Sequence, residues 1–187
     1  MKDKEIVLVS IVGESGGVVT EALEYICKRY ENIKSIKNVI LYSKEPRVIE
    51  EVNALKKILK LLIKRKKFNI KLKNVFKKMP IKDIEEEGDI KRFKRFLNKI
   101  MFLERGKKII FNISGGRKMM MIVTLEVLRN IGEVSLINIT SYMPREEISE
   151  LGDIIREKIN ANLTPEDEEI EKYFFSDGKY KVFELKL

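Results

Sequence analysis

The 187-residue sequence contains no histidine, no tryptophan and a single cysteine, Cys27. Without histidine, the chain cannot build a nucleophilic triad that uses a histidine base. A single cysteine cannot form a disulfide within the chain, and we interpret Cys27 as a small buried hydrophobe in a reducing compartment. Metal chemistry has little support, because the usual nitrogen and sulfur ligands are missing and the loops carry no clustered carboxylates. We therefore expect neither a metal nor a cofactor.

Long apolar runs are missing as well. No segment approaches the roughly 20 apolar residues that a membrane span requires. The first apolar run is short and directly follows residues 1–5, so we expect no signal peptide. We therefore expect a soluble, cytoplasmic protein that has no membrane partner. Lysine and glutamate are abundant while glutamine is absent, a composition that favours a heat-loving prokaryote as the source.

The positive charge is unevenly distributed. The net charge is +9, and eleven cations with no acid lie between Ala54 and Met79. Two interpretations stay open for this segment. It is either a solvated helix face followed by a lysine-protected edge strand, or the source of a field that attracts a polyanion.

Apolar runs alternate with amphipathic segments along the chain. The predicted strands cover residues 5–12, 38–43, 68–76, 107–113 and 133–140, and the predicted helices cover 17–30, 46–66, 82–103, 116–131 and 145–160. This alternation predicts an α/β fold, a Rossmann-like doubly wound and mainly parallel sheet in the order 3-2-1-4-5. At the C-terminal end we predict a helix and a β-hairpin, with arms at 173–175 and 180–183. Residues 1–142 would form the ligand-binding domain, and 143–187 an extension of it.

Two glycine-rich loops each lead from an apolar strand into a helix. The first contains Gly13, Glu14, Ser15, Gly16 and Gly17, and the second contains Ser114, Gly115, Gly116, Arg117 and Lys118. Free backbone N–H groups and the helix dipole make such a loop an anion site. In the predicted strand order, both loops border the crevice where the winding of the sheet reverses. Together they predict a site for a ligand with several phosphates.

Neither loop matches a standard nucleotide motif. The first lacks the G-x-G-x-x-G spacing of dinucleotide folds, and neither contains G-x-x-x-x-G-K-[ST]. Lys118 just inside a helix N-terminus opposes the dipole, which favours a role in meeting an anion. Ser15 has two interpretations, because it is suited both to capping a helix and to binding phosphate.

With these motifs, the chain resembles the CARF domains, the CRISPR-associated Rossmann folds that sense cyclic oligoadenylates. Gly13, Ser15 and the run Val18-Val19-Thr20-Glu21-Ala22-Leu23 match the first-strand signature of the family. Ser114-Gly115-Gly116-Arg117-Lys118 matches its [ST]-G-G-x-K loop. The resemblance covers roughly residues 1–142. Gly16 departs from the pattern, since many members have proline there, and this departure suggests a looser first loop.

The resemblance implies a function. A ribonuclease domain of the HEPN type needs histidine, and the tail after Tyr142 is too short for a winged-helix reader, so we expect no stable DNA binding. What remains resembles a stand-alone ring nuclease, a metal-independent enzyme that binds cyclic oligoadenylate, above all cyclic tetra-adenylate. Such an enzyme cleaves the ring to linear products with a 2′,3′-cyclic phosphate and switches off type III CRISPR signalling. The resemblance implies that Ser15 and Lys118 are the catalytic pair.

Further expectations concern the ligand contacts and the partner. The other loop residues would bind the ligand, and the segment 140–145 is either an ordinary connection or a lid. In the lid interpretation, Tyr142 stacks on adenine and Arg145 reaches a phosphate. The symmetric ring and the apolar helix 119–128 predict a homodimer. Two other functions stay open: a non-catalytic CARF sensor that sequesters the ring or regulates a partner, and an unrelated nucleotide-dependent enzyme.

Overall fold

A single mixed sheet forms the centre of the structure, a computed structural model that describes residues 4–131 and 134–187. Its strands are β1 (Lys4–Val12), β2 (Ile33–Tyr42), β3 (Lys71–Lys78), β4 (Lys108–Asn112), β5 (Val134–Ser141) and β6 (Tyr180–Lys186). They lie in the order β3-β2-β1-β4-β5-β6, and the first five are parallel. The predicted parallel sheet and its 3-2-1-4-5 order are confirmed. The predicted start of the fifth strand at residue 133 lies outside the described residues.

Helices cover both faces of this sheet. They are α1 (Gly17–Arg29), α2 (Pro46–Lys64), α3 (Glu87–Leu103), α4 (Lys118–Leu128), α5 (Arg145–Asn160) and α6 (Asp167–Phe175). One apolar core lies under α1, α2, α5 and α6, and the other lies under α3 and α4. Strand β1 contributes Ile6 and Leu8 to the first core and Val7 and Val9 to the second, which explains its unbroken apolar run. No helix in the described segments is both long and apolar enough to cross a bilayer.

The C-terminal end corrects one detail of the prediction. Residues 173–175 are not a strand, because they form the last turn of α6 with all three aromatic side chains buried. A capping box between Glu166 and Glu169 starts this helix. Only the second predicted arm is a strand, and it lies within β6, which pairs antiparallel with β5. Since α6 packs on α1 and α5 packs on α2, the two parts share one core, and the boundary at residue 142 stays a prediction.

The lysine-rich segment contributes the exposed edge strand β3. Lys71, Lys73, Lys77 and Lys78 all lie exposed on it. Lysines on an unpaired edge hinder strand addition by another chain, which agrees with the structural interpretation of this charge cluster.

Helix α4 is apolar on more than its buried side. Met120, Val123 and Val127 are buried against the sheet, whereas Met119 and Ile122 are 42% and 57% exposed. An exposed apolar helix face of this kind is what a partner subunit would cover, and the homodimer stays a prediction.

Candidate functional site

The two glycine loops follow β1 and β4, which are neighbours in the sheet, with Ser10 paired to Asn112. The loops touch through their backbones. A Cβ atom added at Gly115 would lie 2.0 Å from the carbonyl oxygen of Ile11, and one added at Gly13 would lie 3.0 Å from the carbonyl oxygen of Gly115. No side chain fits at Gly115, so glycine is required there for the loops to meet.

Asn112 at the end of β4 holds the second loop in place. Its amide Nδ2 donates to the carbonyl of Val18 on α1 at 2.7 Å. Its Oδ1 accepts hydrogen bonds from the Ser114 backbone N–H at 3.0 Å and from the Ser114 hydroxyl at 2.6 Å. The Ser114 hydroxyl in turn accepts the Ile139 N–H at 2.6 Å. The Ser114 side chain therefore joins the loop to β5, while its neighbours border the open space.

The first loop is held by its own hydrogen bonds and by α2. The N–H of Gly17 donates to Ser15 Oγ at 3.3 Å, and the N–H of Gly16 donates to Glu51 Oε1 at 2.6 Å. The N-cap of α1 is Gly16 rather than Ser15, and no side chain caps the helix. A proline at position 16 would lack the N–H that Glu51 binds. The glycine at this position therefore supplies an N–H group that holds the loop against α2.

The loops border a cavity of about 390 Å³. Eight of the predicted site residues line it: Gly13, Glu14, Ser15, Ser114, Gly115, Gly116, Arg117 and Arg145. Four do not: Gly16, Gly17, Lys118 and Tyr142. The predicted crevice between the loops is present, and the α5 side adds further lining residues to it.

The two cations of the second loop differ in their surroundings. Arg117 lies on the cavity wall and forms ion pairs with Asp83 and, at 2.7 Å, with Glu45. The hydrogen bond that Arg117 donates to Asp83, with the charges of Asp83 and Glu45, raises the pKa of the Arg117 guanidinium. Lys118 is the first residue of α4 and is exposed, and its ammonium group has no hydrogen bond or ion pair with the described residues. Its charge is therefore not compensated by a carboxylate of the described chain.

The segment after β5 is only partly at the cavity. Arg145, the first residue of α5, lines the cavity, whereas Tyr142 is 64% exposed and does not line it. The N–H of Tyr142 donates to the carbonyl of Lys179 at 2.9 Å, which fixes the backbone of this connection to the turn before β6.

Sequence reasoning missed the far wall of the cavity. It is formed by Glu45 and Arg47 at the start of α2, by Ser149 and Arg156 on α5, and by Tyr173 on α6. Glu51 lies behind this wall, fully buried on α2. Arg47 could have been predicted, because it is a basic residue at the start of a helix, where the dipole disfavours a cation, on the same sheet edge as Lys118. The contribution of α6 was hidden because its aromatic residues resembled a strand.

The site offers no cluster of metal ligands. Among residues 4–131 and 134–187, no group of three or more His, Cys, Asp or Glu residues could hold a metal ion. Cys27 is half-buried on α1, where burial raises the pKa of its thiol to about 11. At neutral pH this thiol stays protonated and behaves as an apolar side chain.

Two sequence comparisons relate this chain to CRISPR-associated proteins. The sequence model of the family described as CRISPR-associated protein NE0113 matches residues 15–173. The CRISPR system ring nuclease SSO2081 of Saccharolobus solfataricus is 27% identical over 150 residues, which cover 80% of this chain and 78% of that protein.

Two solved structures are similar to this chain at low identity. Csm6 of Enterococcus italicus, bound to cyclic hexa-2′-fluoro-hexa-dAMP, has a TM-score of 0.48 at 12% identity, over 87% of this chain and 41% of that one. SCL7 of Oryza sativa has a TM-score of 0.47 at 15% identity, over 94% of this chain and 51% of that one. This chain thus spans about half or less of each of those two proteins.

The family match extends over most of the chain and includes Ser15 and the whole second loop. The CRISPR association that the two loop motifs imply is therefore confirmed by the family match, and the expected likeness to ring nucleases is confirmed by the relative of that name. The chain belongs to the family of CRISPR-associated protein NE0113.

Proposed function

We propose that the protein is a metal-independent ring nuclease that binds cyclic oligoadenylate, with cyclic tetra-adenylate as its main substrate. One observation carries the proposal: the glycine loops after β1 and β4 meet at a single cavity, where their backbones and Ser15 face the same space. Membership in a CRISPR-associated family and the likeness to a relative named a ring nuclease support it.

The reaction needs little chemistry from the protein. The 2′-hydroxyl of one ribose attacks the adjacent phosphorus, and the bond from phosphorus to the 5′-oxygen breaks. The 2′-hydroxyl loses its proton and the leaving 5′-oxygen gains one, so the products are a 2′,3′-cyclic phosphate and a 5′-hydroxyl. The protein has to bend the ring into an in-line geometry and stabilise the charge that develops on the phosphate.

The surroundings of each group suggest its role. Lys118 has an uncompensated charge and would neutralise the transition-state phosphate, whereas Arg117 is already paired with Asp83 and Glu45. Ser15 lines the cavity and, with the loop amides, would orient the phosphate. Arg117 would contribute only by giving up a carboxylate partner.

The size of the cavity supports a homodimer. Pockets for a single drug-sized ligand measure about 300–1,000 Å³, and this one has about 390 Å³, while a ring of four nucleotides is several times larger than such a ligand. One chain would hold one part of the ring, and a second copy related by a two-fold axis would hold the other. Light scattering with the ring present should give the mass of a dimer, and a monomer mass at micromolar concentration would contradict this.

A second candidate is a non-catalytic sensor that binds the ring without cutting it. It is favoured by the position of Lys118 outside the cavity lining and by the neutralised charge of Arg117. Incubation with cyclic tetra-adenylate in EDTA, followed by chromatography, separates the two candidates. Linear products support the nuclease, binding without products supports the sensor, and neither binding nor products would refute both.

A further inference from the structure

A single carboxylate behind the first glycine loop connects three parts of the structure. Glu51 on α2 is fully buried. Its Oε2 accepts a hydrogen bond from Nη1 of Arg156 on α5 at 2.6 Å, and its Oε1 accepts the N–H of Gly16 at 2.6 Å. A Cβ atom at Gly16 would lie 2.7 Å from this Oε1, so glycine allows the close approach.

Arg156 carries the connection to the cavity itself. It lines the cavity, its side chain is 16% exposed, and its Nη2 donates to Asp153 at 2.7 Å. Its Nη1 also lies 3.4 Å from the hydroxyl of Tyr173, which is itself 3.5 Å from the carbonyl oxygen of Glu14. The first loop is thus contacted at Glu14 and at Gly16 by one network.

Folding stability by itself does not explain why an ion pair occupies this buried position. Burial raises the pKa of Glu51, so the ionised carboxylate depends on Arg156 to offset the cost of leaving water. Well-packed apolar side chains of similar volume often stabilise such a position as well as a buried ion pair, or better. What an apolar pair would lack is the acceptor for the Gly16 N–H, which determines where the loop lies.

We propose that Glu51 is a positioning residue that, with Arg156, holds the first glycine loop in the conformation that binds the ligand phosphate. Glu51 acts through Gly16 and the neighbouring Ser15, and the hydrogen bond from Arg156 holds its carboxyl group against the loop. The statement about ligand binding rests on the proposed function, whereas the statement about the loop does not.

The first experiment is amide hydrogen exchange on the full chain without ligand. Glu51→Met removes both acceptors at similar volume, and Glu51→Gln keeps one acceptor for the Gly16 N–H. The double variant Glu51→Met with Arg156→Met leaves no buried unpaired charge, since Asp153, the other partner of Arg156, is exposed. We expect exchange of the first loop to rise about tenfold or more in both methionine variants, because a hydrogen bond to a charged acceptor is lost. The double variant should unfold at or above the wild-type temperature and still show the faster exchange. The glutamine variant should retain most of the protection.

The control is Glu104→Gln, which weakens the ion pair between Lys37 on β2 and the buried carboxylate of Glu104, which follows α3. Neither residue lines the cavity, so any loss of stability there should leave exchange of the first loop unchanged. Wild-type exchange in the stable double variant would overturn the proposal.

The second experiment measures binding and cleavage of cyclic tetra-adenylate by the same variants. We expect the double variant to bind about tenfold more weakly or worse, and the glutamine variant to be closer to wild type, because a misplaced loop loses its phosphate contacts. Faster exchange together with wild-type affinity would overturn the role in ligand binding. If the wild-type protein neither binds nor cleaves the ring, the proposed function fails, and the exchange data still decide whether Glu51 positions the loop.

Discussion

The closest backbone approach in the site gives the sharpest structural prediction, the effect of Gly115→Ala. The added Cβ atom would lie 2.0 Å from the carbonyl oxygen of Ile11, and real Cβ atoms essentially never come closer than 3.0 Å to such an atom. Ile11 belongs to β1, which lies between β2 and β4, and it pairs with Leu41 of β2, so the loop rather than the strand has to move. The required displacement is therefore about 1 Å or more, a shift comparable to those that disable a site from a distance.

Two magnitudes follow for Gly115→Ala. Overpacking of this kind costs roughly 1–3 kcal/mol, and each kcal/mol lowers the melting temperature of a chain this size by about 2–4 °C. Cleavage of cyclic tetra-adenylate should fall about a hundredfold, the usual effect of a 1 Å misplacement. Circular dichroism melting and single-turnover cleavage measure the two effects.

The matched stability control is Gly116→Ala, whose Cβ atom would meet only ordinary contacts, the nearest being Met121 Cγ at 3.5 Å. Its melting temperature should stay within a degree or two of wild type, because a substitution without a clash changes the free energy of unfolding by only about 0.5 kcal/mol. If Gly115→Ala melts and cleaves like wild type, the two loops do not meet as described.

Three further predictions test single side chains. Lys118→Ala should slow cleavage about a hundredfold, the typical cost of removing one charge stabiliser, without loss of stability. Ser15→Ala should slow cleavage less, because the loop amides still bind the phosphate. An unchanged cleavage rate in folded Lys118→Ala would refute the role assigned to Lys118. If the segment after β5 is a lid, Tyr142→Ala should weaken ring binding by about 1–3 kcal/mol in calorimetry, whereas wild-type affinity would make it an ordinary connection. Burial raises the pKa of Glu21 to about 7, although a hydrogen bond from Ser176 opposes the shift. Between pH 4.5 and about 7 the folded state therefore binds more protons than the unfolded state, and the free energy of unfolding falls as the pH rises. The loss should total about 3 kcal/mol in urea titrations between pH 4.5 and 8, and Glu21→Gln should abolish it; an equal slope in that variant would show that other groups cause it.

The central part of the fold could be predicted because its signals are local. Continuous apolar runs such as 5–12 require a strand covered on both faces, and amphipathic segments between them require crossover helices. The strand order then brings the two glycine loops to one sheet edge. No contact between distant side chains had to be known for that step.

The rest of the site depends on contacts that no local pattern reveals. Glu51 is one of two adjacent acids on an amphipathic helix, and only the packed structure shows that it is buried beneath Gly16. The run 173–175 has strong strand propensity, but the preceding capping box and burial against α1 make it a helix. Tertiary packing outweighs the strand propensity of this run. Because the run was predicted as a strand, the part of the cavity wall that α6 forms was missed as well.

The most direct test of the central claim is a single-turnover reaction of the wild-type protein with cyclic tetra-adenylate in EDTA and ¹⁸O-labelled water, analysed by mass spectrometry. If the ribose 2′-hydroxyl is the nucleophile, the products carry a 2′,3′-cyclic phosphate and no ¹⁸O, because no water enters the bond that forms. A product that contains one ¹⁸O at each cleaved phosphate, or an intact ring until a divalent metal is added, would contradict the account.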